Sequence, residues 1–170
     1  MVLDARLRKL AQGVSAKEAA QAYARSLGGE TLEPAQQARA DEFLAIVEAM
    51  FLMAAVDGDV AQDEVERLAA SIQALGDMHV THMNVQAKLE ELNELLSKEG
   101  WHKRIDAVAA RLPSEESRAF AFRMAAGVAF VDDHVAHAEA AAIDALAAKL
   151  QLSSEDTNEI LREVHEELFG

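Results

Sequence analysis

An internal repeat limits the folds that this chain can adopt. The segment AAVDGDVAQDE (residues 54–64) is followed, 75 positions later, by AFVDDHVAHAE (residues 129–139). The aligned copies share six residues, which are Ala54 and Ala129, Val56 and Val131, Asp57 and Asp132, Val60 and Val135, Ala61 and Ala136, and Glu64 and Glu139. Self-similarity at a fixed spacing indicates a duplicated structural unit. We therefore expect two copies of one unit, over about residues 34–76 and 114–151.

Each copy has the apolar spacing of a helix hairpin, because apolar residues recur every three or four positions on both sides of the repeated segment. In the first copy they are Phe43, Ile46, Val47, Met50, Phe51 and Ala54, then Val65, Leu68, Ala69, Ile72 and Leu75. In the second they are Phe122, Ala125, Val128 and Ala129, then Ile143, Leu146 and Leu150. Pro34 fits the first turn of a helix that should end near Val56, Gly76 fits a helix end, and Ser114 fits an N-cap.

Three more helices are predicted outside the hairpins. One has Val85, Leu89, Leu92 and Leu96 on one face, and Gly100 separates it from another with Ile105, Val108, Ala109 and Leu112. The last should begin at Ser153 or Ser154, with acidic residues in its first turn. No stretch alternates with the period of two that is typical of strands. The fold class is therefore all-α, a duplicated helix-hairpin bundle with pseudo-two-fold symmetry.

Composition excludes several classes of function. The chain has 16 Lys and Arg against 30 Asp and Glu, a net charge of −14, which opposes binding to nucleic acid. It has no cysteine, and therefore no disulfide framework and no thiolate metal site. No apolar run approaches the length of a membrane span, and the first residues do not have the pattern of a signal peptide. We expect a cytoplasmic protein without a membrane span.

The N-terminal segment differs in charge from the rest of the chain. Residues 1–28 carry five basic and two acidic side chains, a net charge of +3, which leaves −17 for the remainder. We expect residues 1–30 to form a helical arm outside the main domain of residues 31–170. The arm could dock on the acidic body through charge and apolar residues, which are Leu3, Leu7, Leu10, Ala20 and Tyr23. The alternative is two short solvated helices.

The repeated segment concentrates carboxylates at the bend of each hairpin. From Asp57 to Glu64 the spacing matches the last two thirds of an EF-hand calcium loop, with Gly58 at the tight turn. The first and third ligand positions of such a loop would fall on Met53 and Ala55, which cannot bind a hard cation, so a true EF-hand is excluded. The remaining acidic residues of this segment are predicted to form a carboxylate cluster suited to Ca²⁺ or Mg²⁺.

The Asp-Gly-x-Val-x-x-x-Glu bend, present once per hairpin, resembles that of the TerB-like tellurite-resistance family, which includes the N-terminal domain of a membrane-anchored DnaJ-type co-chaperone. The resemblance covers about residues 34–168. It implies a pseudo-two-fold helical domain, acidic loops that bind divalent metal, and a role in tellurite, phage or other stress, but no known reaction. The implied ligands are Asp57, Asp59 and Glu64, and Asp132 and Glu139. In the second copy, Asp133 replaces Gly58 and is a further candidate ligand, and His134 replaces Asp59.

The same carboxylates have a purely structural interpretation. Glu64 lies three residues after Ala61, as Glu139 does after Ala136, which is the spacing at which a Glu bonds back to a free N–H at a helix start. Asp57 and its equivalent in the second copy can stabilise the turn itself. The repetition of these carboxylates does not show whether they are helix caps or metal ligands, because duplication of a turn also duplicates its caps.

Other metal motifs are weaker. Two His pairs at spacing three, His79 with His82 and His134 with His137, could chelate a transition metal, but the spacing is common. Glu99 and His102 match half of a di-iron motif, and Gly100 between them interrupts the helix. The methionines fit gap-filling core positions, and they are Met50, Met53, Met78, Met83 and Met124.

Three functions stay open. The favoured one is a non-enzymatic stress-response or interaction module, whose acidic bends bind a divalent cation and which presents a surface to a protein partner. The rival is a metal-dependent hydrolase that uses the same carboxylates. A hydrolase also needs a substrate-binding cation, and Arg67 near the first bend has Ala142 as its counterpart. The third is a structural adaptor whose bends bind nothing.

Overall fold

The computed structural model describes residues 31, 33–55, 65, 66, 68, 69, 72, 82–112, 114–130 and 137–169. Within these ranges all regular structure is helical and no strand occurs, which confirms the all-α prediction. The helices are α1 (Pro34–Ala54), α2 (His82–Glu99), α3 (Trp101–Ala110), α4 (Glu115–Phe130), α5 (His137–Lys149) and α6 (Ser154–Phe169). Residues 65, 66, 68, 69 and 72 are also helical, where the second helix of the first hairpin is expected.

Helix α1 is the centre of the fold. Every residue from Ala45 to Met53 is buried, so this helix is enclosed on all sides rather than on one face. Among the described helices its most extensive neighbour is α4, and it also contacts α2, α3 and α5. Helix α4 in turn packs on α5 and α6. The first helices of the two repeat copies therefore form the central pair of the bundle.

The two contacting helices α1 and α4 differ in side-chain volume at equivalent positions of the repeat. At three consecutive buried positions, α1 carries Met50, Phe51 and Leu52, and the residues 75 positions later in α4 are Ala125, Ala126 and Gly127. Small residues on one helix leave room for large residues on its neighbour, so a core can reach native packing density without voids. The two repeat copies therefore differ in side-chain volume at equivalent positions.

The helix ends follow the predicted signals. Helix α4 begins after Ser114, whose Oγ accepts the Ser117 backbone N–H at 3.1 Å, and α6 begins after Ser153, whose Oγ accepts the Asp156 N–H at 3.0 Å. Helix α1 begins at Pro34 and ends at Ala54, two residues before the predicted end. Gly100 separates α2 from α3 with φ of +89° and ψ of 159°, a conformation almost restricted to glycine.

The predicted apolar faces of the helices between the hairpins are confirmed. Val85, Leu89 and Leu92 of α2 are buried, as are Ile105 and Val108 of α3. The N-terminal arm of residues 1–30 lies outside the described residues, and so do Gly58 and Gly76. The pseudo-two-fold arrangement of hairpins stays a prediction, because both bends also fall outside the described ranges.

Candidate functional site

The two acidic bends follow the ends of the two central helices. Helix α1 ends three residues before Asp57, and α4 ends two residues before Asp132. The candidate ligands that lie outside the described residues are Asp57, Asp59, Glu64, Asp132 and Asp133. Glu139 is the third residue of α5, which is where the capping interpretation puts it.

The last turn of α1, which leads to the first bend, is fixed by a hydrogen bond from another helix. The indole Nε1–H of the half-buried Trp101, at the start of α3, donates to the backbone carbonyl of Leu52 at 2.9 Å. The last carbonyls of a helix have no partner within that helix, so this indole satisfies one of them. The bond therefore joins the approach to the first bend to the start of α3.

One turn earlier, α1 carries a buried carboxylate that α3 neutralises. Glu48 is 1% exposed, and it accepts the Arg104 Nε–H at 2.6 Å and the Arg104 Nη2–H at 2.8 Å. The Glu48 Oε1 atom also accepts a hydrogen bond from the Nη2 atom of Arg111. A second carboxylate, Glu99, accepts the Arg104 Nη1–H at 3.2 Å. Two arginines and two glutamates thus form one network across α1, α2 and α3.

The network is built to hold a buried charge. A carboxylate that loses water needs an opposite charge and hydrogen bonds to both oxygens, and a planar guanidinium supplies both in one fork. The hydrogen bond to Glu48, together with the nearby negative charge, raises the pKa of Arg104 above its usual value, although burial acts in the opposite direction. Both oxygens of Glu48 accept hydrogen bonds from arginines in or directly after α3, so this side chain joins α1 to α3.

Sequence reasoning missed this network, although the sequence contains a signal for it. Glu48 is the single charged residue in the apolar run of residues 43–56, and Arg123 is the single charged residue in residues 119–131. A lone charge in a helix buried on all sides requires a partner. Arg123 has one in α6, since its Nη2 donates to Glu163 Oε2.

Among the described residues, the side chains of the weaker metal motifs do not come together as a metal site. Glu99 and His102 lie on different helices, on either side of Gly100, and Glu99 pairs with Arg104. His79 and His134 lie outside the described residues, and His82 and His137 are the first residues of α2 and α5.

Within the described ranges, no group of three or more His, Cys, Asp or Glu side chains is placed to hold a metal ion; the bends are not among those ranges. None of the helices described there is long and apolar enough to cross a membrane.

The methionines of the central helices fill the core. Met50, Met53 and Met124 are buried, as expected for gap-filling residues. Met78 lies outside the described residues, and Met83 belongs to the first turn of α2.

A cleft with a volume of about 400 Å³ opens between α4 and α6, beside the α5–α6 connection. Its apolar lining comes from Ala119, Leu150, Leu152 and Ile160. Its polar lining consists of Glu115, Glu116, Gln151, Asp156, Glu159 and Glu163. Five of those six polar residues are acidic, so the cleft combines an apolar part with negative charge.

The chain matches a known protein family over most of its length. A family model described as "Tellurite resistance protein TerB" matches residues 43–162, which is most of the chain and contains both bends, all of α4, residues 43–54 of α1 and the Glu48 network. No curated protein and no solved structure matches.

Proposed function

Since the chain belongs to the family of the tellurite resistance protein TerB, we propose that it is a non-enzymatic stress-response and protein-interaction module that binds a divalent cation at its acidic bends. The proposed ligands are Asp57, Asp59 and Glu64 in the first bend. Asp132, Asp133 and Glu139 form a second, weaker set. Carboxylate oxygens favour Ca²⁺ or Mg²⁺ over softer metals.

One observation carries this proposal. The same acid-bearing segment occurs once after each of the two central helices, which among the described helices are each other's most extensive contact partners. A cation that neutralises a bend would stabilise the end of a helix that runs through the core. Binding at the surface would thereby be linked to the stability of the whole domain.

The buried charges of the described core support a module rather than a hydrolase. A metal-dependent hydrolase needs a base and a substrate-binding cation near its metal. Glu48 is the one buried acid among the described residues, and Arg104 and Arg111 saturate its oxygens. These three side chains form ion pairs with one another, so they are not available to bind a substrate.

Thermal unfolding tests the cation site. Millimolar Ca²⁺ should raise the melting temperature, because a ligand at about 100 times its dissociation constant stabilises the folded state by roughly 2.7 kcal/mol. Asp57→Ala combined with Asp59→Ala should abolish the increase, and Asp132→Ala should reduce it less, since Asp133 and His134 replace Gly58 and Asp59 in that copy.

The control is Glu90→Ala combined with Glu94→Ala, which removes two exposed carboxylates from α2 and should leave the increase unchanged. If Ca²⁺, Mg²⁺ and Mn²⁺ all fail to shift the wild-type melting temperature, the carboxylates act only as caps and the cation proposal is wrong.

A further inference from the structure

The cleft between α4 and α6 has the features of a docking groove for a basic amphipathic segment. Leu152 and Ile160 in its lining are only partly buried, although both pack against the core. Burial of such apolar surface by a ligand is favourable in proportion to the area covered. The groove thus offers an apolar contact surface with carboxylates around it.

The carboxylates of this groove are largely uncompensated. Glu163 pairs with Arg123, but among the described residues no basic side chain forms an ion pair with Glu115, Glu116 or Asp156, and none does so with Glu159. Like charges that share a concave surface repel one another and concentrate a negative potential there. A positively charged occupant would relieve that repulsion.

Helix capping explains only part of this acidic set. Glu115 and Glu116 lie in the first turn of α4, and Asp156 lies in the first turn of α6, where the helix dipole favours negative charge. Glu159 lies beyond the first turn of α6 and receives little from the dipole, because that effect falls off within one turn. The helix dipole therefore does not account for its position in the groove.

The chain itself contains a complementary segment. Residues 1–28 carry a net charge of +3, and Leu3, Leu7 and Leu10 recur at spacings of four and three, the pattern of one apolar helix face. Arg6, Arg8 and Lys9 lie between these leucines. This pattern supplies apolar residues for the floor of the groove and cations for its rim.

The connection to the domain permits this docking. Helix α1 begins at Pro34, so 23 residues lie between it and Leu10. A chain of that length can reach about 80 Å when extended. A folded domain of this size has a radius of gyration of about 15 Å, so the groove is within reach from any side of the domain.

We propose that the groove between α4 and α6 binds the chain's own N-terminal segment, with Leu3, Leu7 and Leu10 on the apolar lining and the basic residues beside the carboxylates. The proposal does not depend on the cation site. Docking would cover an acidic surface that a basic partner could otherwise use, so release of the segment would control access to that surface. Salt screens exposed charges beyond about 8 Å at physiological ionic strength, so the leucines supply the larger part of the contact.

Hydrogen–deuterium exchange on the full chain, followed by mass spectrometry, tests the proposal through a charge swap. In the wild type, amides of residues 3–10 should exchange about tenfold more slowly than in an unstructured peptide. Arg8→Glu with Lys9→Glu should remove this protection, as should Glu116→Lys with Glu159→Lys. The variant that carries all four substitutions should regain it, because the charges again attract.

Two matched controls accompany the swap. Glu90→Lys with Glu94→Lys makes the same charge change on the exposed face of α2 and should leave the segment protected. Leu7→Asp should remove protection without any change in the groove. Exchange in α1 reports whether each variant keeps its core, and recovery in the fourfold variant distinguishes lost docking from lost folding.

Rapid exchange of residues 3–10 in the wild type would overturn the proposal, and so would protection that survives the groove substitutions. Light scattering after gel filtration should show a monomer in which the protection is independent of protein concentration. A dimer whose protection disappears on dilution would mean that the groove takes the segment of a second copy, which also contradicts docking within one chain.

Discussion

Glu48 and Arg123 occupy equivalent positions of the two repeat copies, 75 residues apart, on the two helices that form the centre of the bundle, and they carry opposite charges. Each pairs with an opposite charge from a further helix, Glu48 with Arg104 of α3 and Arg123 with Glu163 of α6. Each central helix is therefore held to another helix by a charge in the middle of its apolar run.

The two ion pairs should differ in their effect on stability. Glu48 is 1% exposed, whereas Glu163 is 39% exposed. Removal of one partner of a buried pair leaves an uncompensated charge, so Glu48→Ala should lower the free energy of unfolding by about 3–5 kcal/mol. Removal of a solvent-exposed partner is milder, and Glu163→Ala should cost about 1 kcal/mol or less. Urea denaturation measures both, and equal losses would contradict the burial of Glu48.

The small residues of α4 should resist enlargement. Ala126 is fully buried, and the equivalent position of the first repeat copy carries Phe51, so Ala126→Leu should lower the free energy of unfolding by about 1–3 kcal/mol through overpacking. Ala87 is an exposed residue of α2, and Ala87→Leu should change the free energy by about 0.5 kcal/mol or less. A neutral Ala126→Leu, measured by urea denaturation against this control, would indicate a cavity between the central helices.

The two described residues with positive φ should respond to substitution in opposite directions. Gly100 has φ of +89° and free space around the position of a Cβ atom, so Gly100→Ala should cost about 1–3 kcal/mol through the backbone alone. Gln151 has φ of 61°, and Gln151→Gly should stabilise the protein by up to about 1 kcal/mol. Melting temperatures should therefore fall for the first variant and rise for the second.

The halves of the domain should not fold independently. A fragment of residues 34–112 contains α1, α2 and α3 but lacks α4, the most extensive partner of α1 among the described helices. Its exposed apolar face should make it molten or insoluble. Circular dichroism during urea titration would show the absence of a cooperative transition, and a sharp transition would mean that residues 34–112 are an independent domain.

Periodicity, caps and glycines were enough to predict the helices. The N-caps at Ser114 and Ser153 and the break at Gly100 are local signals, and the structure confirms each of them. The family was also predictable, because the acidic bend is a local motif that occurs twice, and the match over residues 43–162 confirms it.

The partners of the buried charges were not predictable in the same way. Glu48 is 56 residues from Arg104, and Arg123 is 40 residues from Glu163. Apolar periodicity shows that a helix is buried but does not show which helices surround it, so it cannot select a partner for a lone charge. The enclosure of α1 on all sides is not predictable from its sequence for the same reason, since it depends on how several helices pack around it.

Trp101, the single tryptophan, should report cation binding at the first bend. Its indole holds the carbonyl of Leu52, five residues before Asp57, so a cation that orders the bend should alter the surroundings of the indole. Ca²⁺ should therefore shift the Trp101 fluorescence with saturation, and Asp57→Ala with Asp59→Ala should abolish the shift. Glu90→Ala with Glu94→Ala, which removes two exposed acids from α2, should preserve it. A melting temperature that rises with Ca²⁺ while Trp101 fluorescence stays constant would place the cation away from the first bend.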